Sequence, residues 1–243
     1  MLLVETKIEA EAQTIEKESL QIIPSIKTKY SKIYLSESKS SWITIEWLSE
    51  ELIQYSTENY HELFSIHPLQ KGIIVMYDVE CLSSRWHRSY LHQPKREPGK
   101  VSYMYSGMES FKVLSLPLPF QKFLDFLNEK EETHKYNQVI ANWYANGTDY
   151  IAQHSDCQKG MAPNASIAII TLCEDEKSPR ELKITPKNLK NETNDNLYAH
   201  VKIKLKHGCI ITMHGETQNN FKHGVLKAFE NLTSRMSLTF RKF

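Results

Sequence analysis

Short runs in which apolar and polar residues alternate dominate the chain beyond residue 136. Alternation with a period of two predicts half-buried β-strands, and turn-forming residues separate the runs. No helical pattern lies between them, which favours a β-sandwich or jelly roll over a parallel α/β sheet. The runs read "VIANWYANG", "DYIAQHSD", "SIAIITLC", "RELKITP", "YAHVKIKLKHG", "CIITMHG" and "MSLTFRKF".

The region before residue 136 carries two helix-forming patterns. Residues 41–66 open with an alternating run and continue with helical spacing, and residues 118–134 keep helical spacing throughout. Residues 1–25 are rich in Glu, Lys, Ala and Ile, which suits a short helix or a mobile arm. We expect the two helical patterns to support the β-rich part of the chain.

The size and charge of the chain limit its organisation. Its 243 residues, of which 40% are hydrophobic, suffice for one domain with a substantial core. We expect an N-terminal extension over 1–40, helical or mobile, and a single domain over 41–243, with its β-rich core at about 136–243. The net charge of +1 argues against polyanion binding over the whole surface, so any nucleic-acid surface is a local patch.

Cysteine usage and hydropathy indicate the compartment. No two of the cysteines form a CxxC pair, which argues against a zinc ribbon or a disulfide scaffold. No apolar run approaches the roughly 20 residues of a membrane span, and the N-terminus lacks the basic segment of a secretory signal. We therefore expect an intracellular protein, cytoplasmic or nuclear, without a membrane partner. The cysteines are Cys81, Cys157, Cys173 and Cys209.

The string His-Ser-Asp at positions 154–156 is the first candidate for a metal site. Side chains two positions apart on an extended chain point to the same side, so His154 and Asp156 share a face at a strand end. His214 and Glu216 have the same spacing, but Gly215 between them is expected to break their strand. We favour the first pair as metal ligands and interpret the second pair as polar residues of a loop.

A third ligand has to come from a distant part of the chain, and His223 in "NNFKHGVLK" is the leading candidate. Two histidines and one carboxylate bind Fe(II) on one face of its octahedron and leave three positions open. Taken alone, His223 is more often a half-buried histidine at a strand edge, so its context decides between the two interpretations.

The C-terminal run "RMSLTFR" places Arg235 and Arg241 on one face of a strand. Burying two guanidinium groups on a half-buried strand is costly unless an anion meets them. A guanidinium forms two parallel hydrogen bonds with a carboxylate, so an inward pair predicts a ligand with carboxylate groups. The alternative is a pair of arginines on a solvated edge strand.

A basic segment with aromatic residues, "RWHRSYLHQPKREPGK", occupies positions 85–100 and begins with Arg85 and Arg88 as its first cations. Its cations are suited to contact phosphates while Trp86 and Tyr90 stack on bases. A solvated basic loop explains the same composition equally well.

Several of these motifs together resemble the AlkB family of Fe(II)- and 2-oxoglutarate-dependent dioxygenases. "NWYANGTDYIAQHSD", "FKHGV" and "RMSLTFR" match its Asn-x-Tyr, His-x-Asp, distal His and Arg-x5-Arg pattern in order. "VSYMYSGM" resembles a segment of the branch that repairs alkylated nucleobases. The resemblance covers roughly residues 83–243. It implies an α+β, mainly β fold with a double-stranded β-helix (jelly-roll) core, supporting helices and an N-terminal nucleotide-recognition lid at about 83–110.

The resemblance also implies roles for individual residues. His154, Asp156 and His223 would bind Fe(II) and form the catalytic centre. Arg235 would hold the distal carboxylate of 2-oxoglutarate, and Arg241 would lie near the iron-side end of that co-substrate. The residues expected to bind 2-oxoglutarate are Asn142, Tyr144, Arg235 and Arg241.

In this family a damaged base is flipped out and held between an aromatic ring and the first metal histidine, which implies Tyr105 opposite His154. Base-repairing relatives usually have acidic residues after His-x-Asp, whereas this chain has Cys157 and Gln158. The preferred lesion therefore stays open. The residues expected at the substrate are Tyr103, Tyr105, Ser106, Gln158, Arg85 and Arg88.

The implied reaction is oxidative demethylation of alkylated bases in DNA or RNA, of the N1-methyladenine or N3-methylcytosine type. It uses Fe(II), O2 and 2-oxoglutarate, hydroxylates the N-alkyl group, and releases formaldehyde, succinate and CO2. The partner would be alkylated DNA or RNA, and we expect a monomer. Two alternatives stay open: an oxygenase for N6-methyladenine RNA, a tRNA modification or a protein side chain, and a non-catalytic binding module on the same fold.

Overall fold

The computed structural model describes residues 20–24, 30–76, 79–92, 104–105, 108–109, 114–131, 135–175, 180–188, 197, 200–229 and 232–243. Its strands are β1 (Leu20–Ile22), β2 (Tyr30–Tyr34), β3 (Ser41–Trp47), β4 (Ile73–Met76), β5 (Val79–Leu82), β6 (Trp86–Leu91), β7 (Met104–Tyr105), β8 (Met108–Glu109), β9 (Leu114–Ser115), β10 (Gln138–Tyr144), β11 (Ile151–His154), β12 (Ile167–Cys173), β13 (Glu181–Pro186), β14 (Val201–Lys204), β15 (Cys209–Gly215), β16 (Phe221–Val225) and β17 (Arg235–Arg241). Its helices are α1 (Glu50–Glu58), α2 (Tyr60–Ser65), α3 (Leu118–Lys130) and α4 (Thr217–Asn220).

Two sheets carry most of the structure. The minor sheet has five strands in the order β1-β14-β13-β16-β11, and the major sheet has eight in the order β2-β3-β15-β12-β17-β10-β6-β9. Apolar side chains from both sheets form one buried cluster, in which Ile43 and Ile211 of the major sheet join Ile184 and Phe221 of the minor sheet. Two mainly antiparallel sheets that share a core match the expected jelly-roll type of fold.

The helices cover the other side of the major sheet. Phe120, Phe123 and Leu127 repeat at helical spacing along α3 and are buried in a second cluster with Trp143 and Phe240 of the major sheet. Helix α1 begins at Ser49, whose hydroxyl accepts a hydrogen bond from the backbone N–H of Leu52. The helical patterns predicted at 41–66 and 118–134 are confirmed, with β3 preceding α1 in the first of them.

The central strands β10, β12 and β17 are buried along their whole length, because the minor sheet packs on one side of them and the helices on the other. Strand β17 pairs with both β10 and β12, so it is not an edge strand. The solvated-edge interpretation of Arg235 and Arg241 is therefore wrong. Both arginines are buried in the middle of the major sheet.

Part of the expected N-terminal extension belongs to the sheets. Strand β1 pairs in parallel with β14, and β2 pairs with β3, so residues 20–22 and 30–34 are integral to the fold. The expected lid also differs in part, because β6, inside the 83–110 segment, is a strand of the major sheet beside β10. Most of the remaining lid segment lies outside the described residues. Within the described part of the chain, no helix has the length and apolar character needed to cross a membrane.

Candidate active site

His154, Asp156 and His223 come together at one end of the minor sheet. Their ligand atoms all lie within 4.8 Å of one another, and they are the single such group among the described residues. The Nε2 atom of His154 is 3.6 Å from Asp156 Oδ1, and the Nε2 atom of His223 is 3.8 Å from Asp156 Oδ2. The three residues that the sequence brought forward as iron ligands thus converge on one point.

Strand pairing explains why the two histidines meet. His154 lies directly opposite His223 in the antiparallel pair β11–β16, next to an irregularity of register between Ile151 and His154. A Cβ atom on Gly224 would lie 2.8 Å from the carbonyl oxygen of Ile151 and 2.9 Å from the backbone nitrogen of Gln153. Only glycine permits this close approach of the two backbones. The bulged strand and the glycine together set the positions of both imidazole rings, whose centroids are 4.5 Å apart.

The loop that carries Asp156 is held by the short helix α4 and the start of β16. The backbone N–H of Asp156 donates to Oε1 of Gln218 at 2.9 Å, and the Ser155 hydroxyl donates to the carbonyl of Phe221 at 2.7 Å. Gln158, exposed, donates to Asn219 at 2.7 Å. Gln218 is buried and went unrecognised in the sequence, because no local pattern links a glutamine at 218 to a loop at 156.

Charge and hydrogen bonding prepare the three side chains for a cation. Burial would raise the pKa of Asp156, but Arg241, with His154 and His223, outweighs it and holds that pKa well below the usual value. Burial, with His154 beside it, lowers the pKa of His223 to about 3, so its imidazole is neutral and keeps a lone pair. The Nδ1 atom of His154 is 3.0 Å from the carbonyl of Ala152, which leaves its Nε2 as the metal-facing atom.

The donor set fits a divalent iron ion. Two imidazoles and one carboxylate, on one side of a cavity, are the ligand types that Fe(II) oxygenases use. Among the described residues, the buried Oδ2 atom of Asp156 accepts no hydrogen bond. An oxygen of a buried carboxylate without a hydrogen bond is costly, and a metal ion at the centre of the triad would remove that cost.

The same cavity contains the residues expected to bind 2-oxoglutarate. Arg235 lies directly opposite Tyr144 across the β10–β17 pair, and its guanidinium carbon is 5.0 Å from the centroid of the Tyr144 ring. Its Nη2 atom donates to Thr171 Oγ1 at 3.2 Å, while its Nε and Nη1 atoms have no hydrogen-bond partner among the described residues. The polar residues lining the cavity include Asn142, Tyr144, Arg235, Ser237, Thr239 and Arg241.

Arg85 differs from the surface phosphate contact that the sequence suggested. It is 2% exposed, lines the cavity, and donates from Nε to Oδ1 of Asn142 at 2.8 Å. The cause is its position immediately before β6, which pairs with β10 and carries Arg85 into the interior. Arg88 lies on β6 itself, and its side chain is exposed, as expected for a surface cation.

Other expected substrate residues are only partly described. Tyr105 lies in the two-residue strand β7, paired with β8, and its side chain is not described. Tyr103 and Ser106 lie outside the described residues, as do positions 93–100 of the basic segment.

The rival pair does not form a metal site within the described residues. His214 stacks on Trp42 with ring centroids 5.4 Å apart and shares a 3.0 Å hydrogen bond with Thr44. The Glu216 carboxylate accepts a hydrogen bond from Asn219. These contacts agree with the interpretation of this pair as polar residues without a metal.

Arg180 fixes two loops beside the site. Its guanidinium donates to the carbonyls of Asn146, Asp149 and Leu226. The first two carbonyls belong to the loop that leads into β11, and the third follows β16. Arg180 therefore ties together the ends of the two strands that carry the metal-ligand candidates.

Comparison with known proteins gives one family and a set of relatives. The family model described as "2OG-Fe(II) oxygenase superfamily" matches residues 29–241. "DNA oxidative demethylase ALKBH2" from Arabidopsis thaliana is 27% identical over 156 residues, which are 59% of this chain and 49% of that protein. The human protein of that name is 26% identical over 161 residues, covering 65% of this chain and 58% of its own.

A second group of relatives carries another name. "Alpha-ketoglutarate-dependent dioxygenase alkB homolog 3" from Mus musculus is 30% identical over 144 residues, 59% of this chain and 49% of its own. The chain therefore spans about half the length of several of the curated relatives it matches. Among solved structures, a 2OG-Fe(II) oxygenase family protein from Burkholderia pseudomallei matches with a TM-score of 0.47 and 11% identity, over 81% of this chain and 84% of its own.

Proposed function

Because the chain belongs to the 2OG-Fe(II) oxygenase superfamily, we propose that it is a dioxygenase that oxidatively removes alkyl groups from nucleobases of DNA or RNA. The single observation that carries this proposal is the convergence of His154, Asp156 and His223 in one cavity with two buried arginines. The family implies Fe(II), 2-oxoglutarate and O2 as cofactors. The names of the similar proteins, oxidative demethylases and alkB homologues, support the dealkylase type of reaction.

Iron would be held by the Nε2 atoms of His154 and His223 and by the carboxylate of Asp156. When bound with 2-oxoglutarate, it supplies the chemistry that couples oxidative decarboxylation to insertion of one oxygen atom into a C–H bond of the substrate. Arg241 contributes by balancing the charge of Asp156, so that the carboxylate stays ionised in a buried site. Gln218 holds the backbone at Asp156 and fixes the direction of that side chain.

The co-substrate 2-oxoglutarate has two carboxylates, and the site offers two buried arginines. We assign its distal carboxylate to Arg235, because the Nε and Nη1 atoms of this buried guanidinium have no hydrogen-bond partner among the described residues and can donate to it. We assign its iron-side end to the neighbourhood of Arg241, which already contacts Asp156. Asn142 and Tyr144 line the cavity between these points, and Arg85 fixes the amide of Asn142.

The substrate base would enter beside His154, whose side chain is 33% exposed, in contrast to the other two ligand candidates. A base held against this ring would lie next to the iron, and the family resemblance implies Tyr105 as the opposite wall and Tyr103, Ser106 and Gln158 as further contacts. Hydroxylation of an N-methyl group gives an unstable product that releases formaldehyde and restores the base. Flipping costs a few kcal/mol and costs less for a lesion that cannot pair, which favours N1-methyladenine and N3-methylcytosine.

A substrate panel tests the proposal. The purified protein is incubated with Fe(II), ascorbate and 2-oxoglutarate and with oligonucleotides that contain 1-methyladenine or 3-methylcytosine, and product nucleosides are measured by mass spectrometry. We expect unmodified adenine or cytosine nucleosides to appear. If the protein binds iron and 2-oxoglutarate but leaves both lesions intact, the substrate class is wrong.

A second candidate keeps the oxygenase and changes the substrate. It is favoured by Cys157 and Gln158, which stand where base-repairing relatives usually have acidic residues. N6-methyladenine RNA, modified tRNA and a protein side chain are therefore tested in the same panel. Turnover of one of these, without turnover of the methylated bases above, would replace the first proposal with the second.

A further inference from the structure

The outer side of the minor sheet is strongly basic. Leu182, Ile184, Val201 and Ile203 are buried in the core between the sheets, so the residues that alternate with them point away from it. Lysines occupy most of these outward positions on three neighbouring strands, β14, β13 and β16. We name this surface the lysine face, and it consists of Lys183, Lys202, Lys204 and Lys222.

The lysines of this face are close together. Lys183 lies directly opposite Lys202 across the antiparallel pair β13–β14. Side chains in such positions are about 5 Å apart at Cβ, and like charges there destabilise a sheet. The repulsion extends to Lys187, whose pKa is lowered by burial and then by the charge of Lys222.

No salt bridge within the described part of the chain neutralises this charge. The salt bridges of the described residues involve none of the four lysines. Among the described residues of these three strands, the acid on the same side is Glu181, which lies opposite Lys204 but accepts its hydrogen bond from Gln21. The chain as a whole has a net charge of only +1, so this concentration of cations is a local feature.

We propose that the lysine face binds the phosphate backbone of the nucleic acid whose base enters the active site. This inference rests on the proposed function and names a second contact surface for the same substrate. A flat sheet face does not enclose a small anion, whereas lysines about 5 Å apart across strands and about 7 Å apart along a strand suit a chain of phosphates. Phosphate contacts of this kind give affinity and register without sequence specificity.

The position of the lysine face relative to the metal site supports this choice of partner. Lys222 and His223 are neighbours on β16, so their side chains point to opposite sides of the sheet. The lysine face therefore begins on the strand that carries a metal-ligand candidate. From there it continues across β13 to β14, on the side of β16 away from β11, the strand that carries His154.

Oligonucleotide binding measured over a series of salt concentrations tests the proposal. The protein is loaded with Fe(II) and 2-oxoglutarate without oxygen, and its affinity for a fluorescent single-stranded oligonucleotide with one 1-methyladenine is measured by anisotropy. The variant is Lys183→Gln with Lys202→Gln. Its matched control is Lys122→Gln with Lys130→Gln, which removes two exposed positive charges from helix α3.

Affinity falls as salt rises, and each lost phosphate contact makes the plot of log affinity against log salt shallower by about 0.7 for a single strand. We therefore expect the plot for the lysine-face variant to be shallower by about 1.4 than that of the wild type. Its affinity at about 0.1 M salt is expected to fall roughly tenfold. The control is expected to match the wild type in both. A lysine-face variant that behaves like the control overturns the proposal.

The two proposals fail in different ways. If the wild type demethylates the oligonucleotide while the lysine-face variant binds it with unchanged affinity and slope, the lysine face is overturned and the proposed function stands. If binding depends on Lys183 and Lys202 but no methylated base is converted, the lysine face stands and the proposed reaction is overturned.

Discussion

Arg241 donates a 2.5 Å hydrogen bond from Nη2 to Oδ1 of Asp156, and both side chains are buried. The other carboxylate oxygen, Oδ2, is 3.8 Å from Nε2 of His223 and accepts no hydrogen bond among the described residues. It joins the last strand of the major sheet to the loop after β11 of the minor sheet. The arginine therefore links the metal site to the pocket expected to bind the co-substrate.

Replacement of Arg241 by glutamine is expected to weaken iron binding. The carboxylate of Asp156 would keep its burial but lose its main source of charge balance, so a proton would compete better with the metal. We expect the dissociation constant for Fe(II), measured by anaerobic titration, to rise roughly 10- to 100-fold. Arg88→Gln, which alters an exposed arginine, serves as the control. An unchanged constant for Arg241→Gln would show that the contact has no role in metal binding.

Gln218 and Gln158 form a matched pair for testing the support of the Asp156 loop. Gln218 is buried and accepts from the Asp156 backbone, whereas Gln158 is exposed and contacts Asn219. We expect Gln218→Ala to lower Fe(II) affinity by roughly tenfold, because supporting residues orient metal ligands. Gln158→Ala should leave Fe(II) affinity unchanged. Equal effects of the two substitutions on Fe(II) affinity would contradict the positioning role of Gln218.

Arg235→Lys tests the assignment of the distal carboxylate of 2-oxoglutarate. Lysine keeps the charge but lacks the planar fork that forms two parallel hydrogen bonds. A loss of about 2 kcal/mol corresponds to a roughly 30-fold rise in the KM for 2-oxoglutarate. Iron affinity should change little, since Arg235 does not contact the triad. A large loss of iron affinity with normal KM would refute this division between the two arginines.

The environment of His214 predicts a stability effect of pH. Burial, with Lys32 nearby, lowers the pKa of His214 from 6.5 to about 4 in the folded protein. The neutral His214 ring therefore contributes fully to the free energy of unfolding above pH 6.5. This contribution is lost as the pH falls toward 4, because His214 takes up a proton in the unfolded chain at a higher pH than in the folded protein. The loss is at most about 3 kcal/mol, since the side chain is only partly buried.

Urea unfolding at pH 7 and pH 4.5 measures this effect. His214→Gln is expected to lose less stability than the wild type between the two values, and His61→Gln, at an exposed helix position, to behave like the wild type. If His214→Gln loses as much unfolding free energy between pH 7 and pH 4.5 as the wild type does, His214 is not the source of this pH effect.

Local patterns in the sequence were sufficient for much of the site. The strict alternation of "RMSLTFR" puts Arg235 and Arg241 on one face, and the two-residue spacing of His154 and Asp156 puts them on one side of a strand end. In the structure, these residues and His223 line the same cavity. A period of two fixes the face of a strand whichever strands it pairs with, so these relationships follow from short stretches alone.

Relationships that depend on strand pairing could not be predicted in this way. The burial of Arg85 follows from the pairing of β6 with β10, and the contact of Gln218 with Asp156 spans 62 positions. The inclusion of β1 and β2 in the two sheets likewise depends on partners far along the chain. A single sequence carries no direct record of such pairings.

The central claim is that the triad drives oxidative dealkylation, and product stoichiometry with and without Asp156 tests it most directly. Succinate, formaldehyde and unmodified nucleoside are measured together from a 1-methyladenine or 3-methylcytosine oligonucleotide, for the wild type and for Asp156→Ala. We predict equal amounts of formaldehyde and unmodified nucleoside with at least as much succinate for the wild type, and none of the three products above background for Asp156→Ala. Unmodified nucleoside formed without succinate, or formed equally by Asp156→Ala, would contradict the claim.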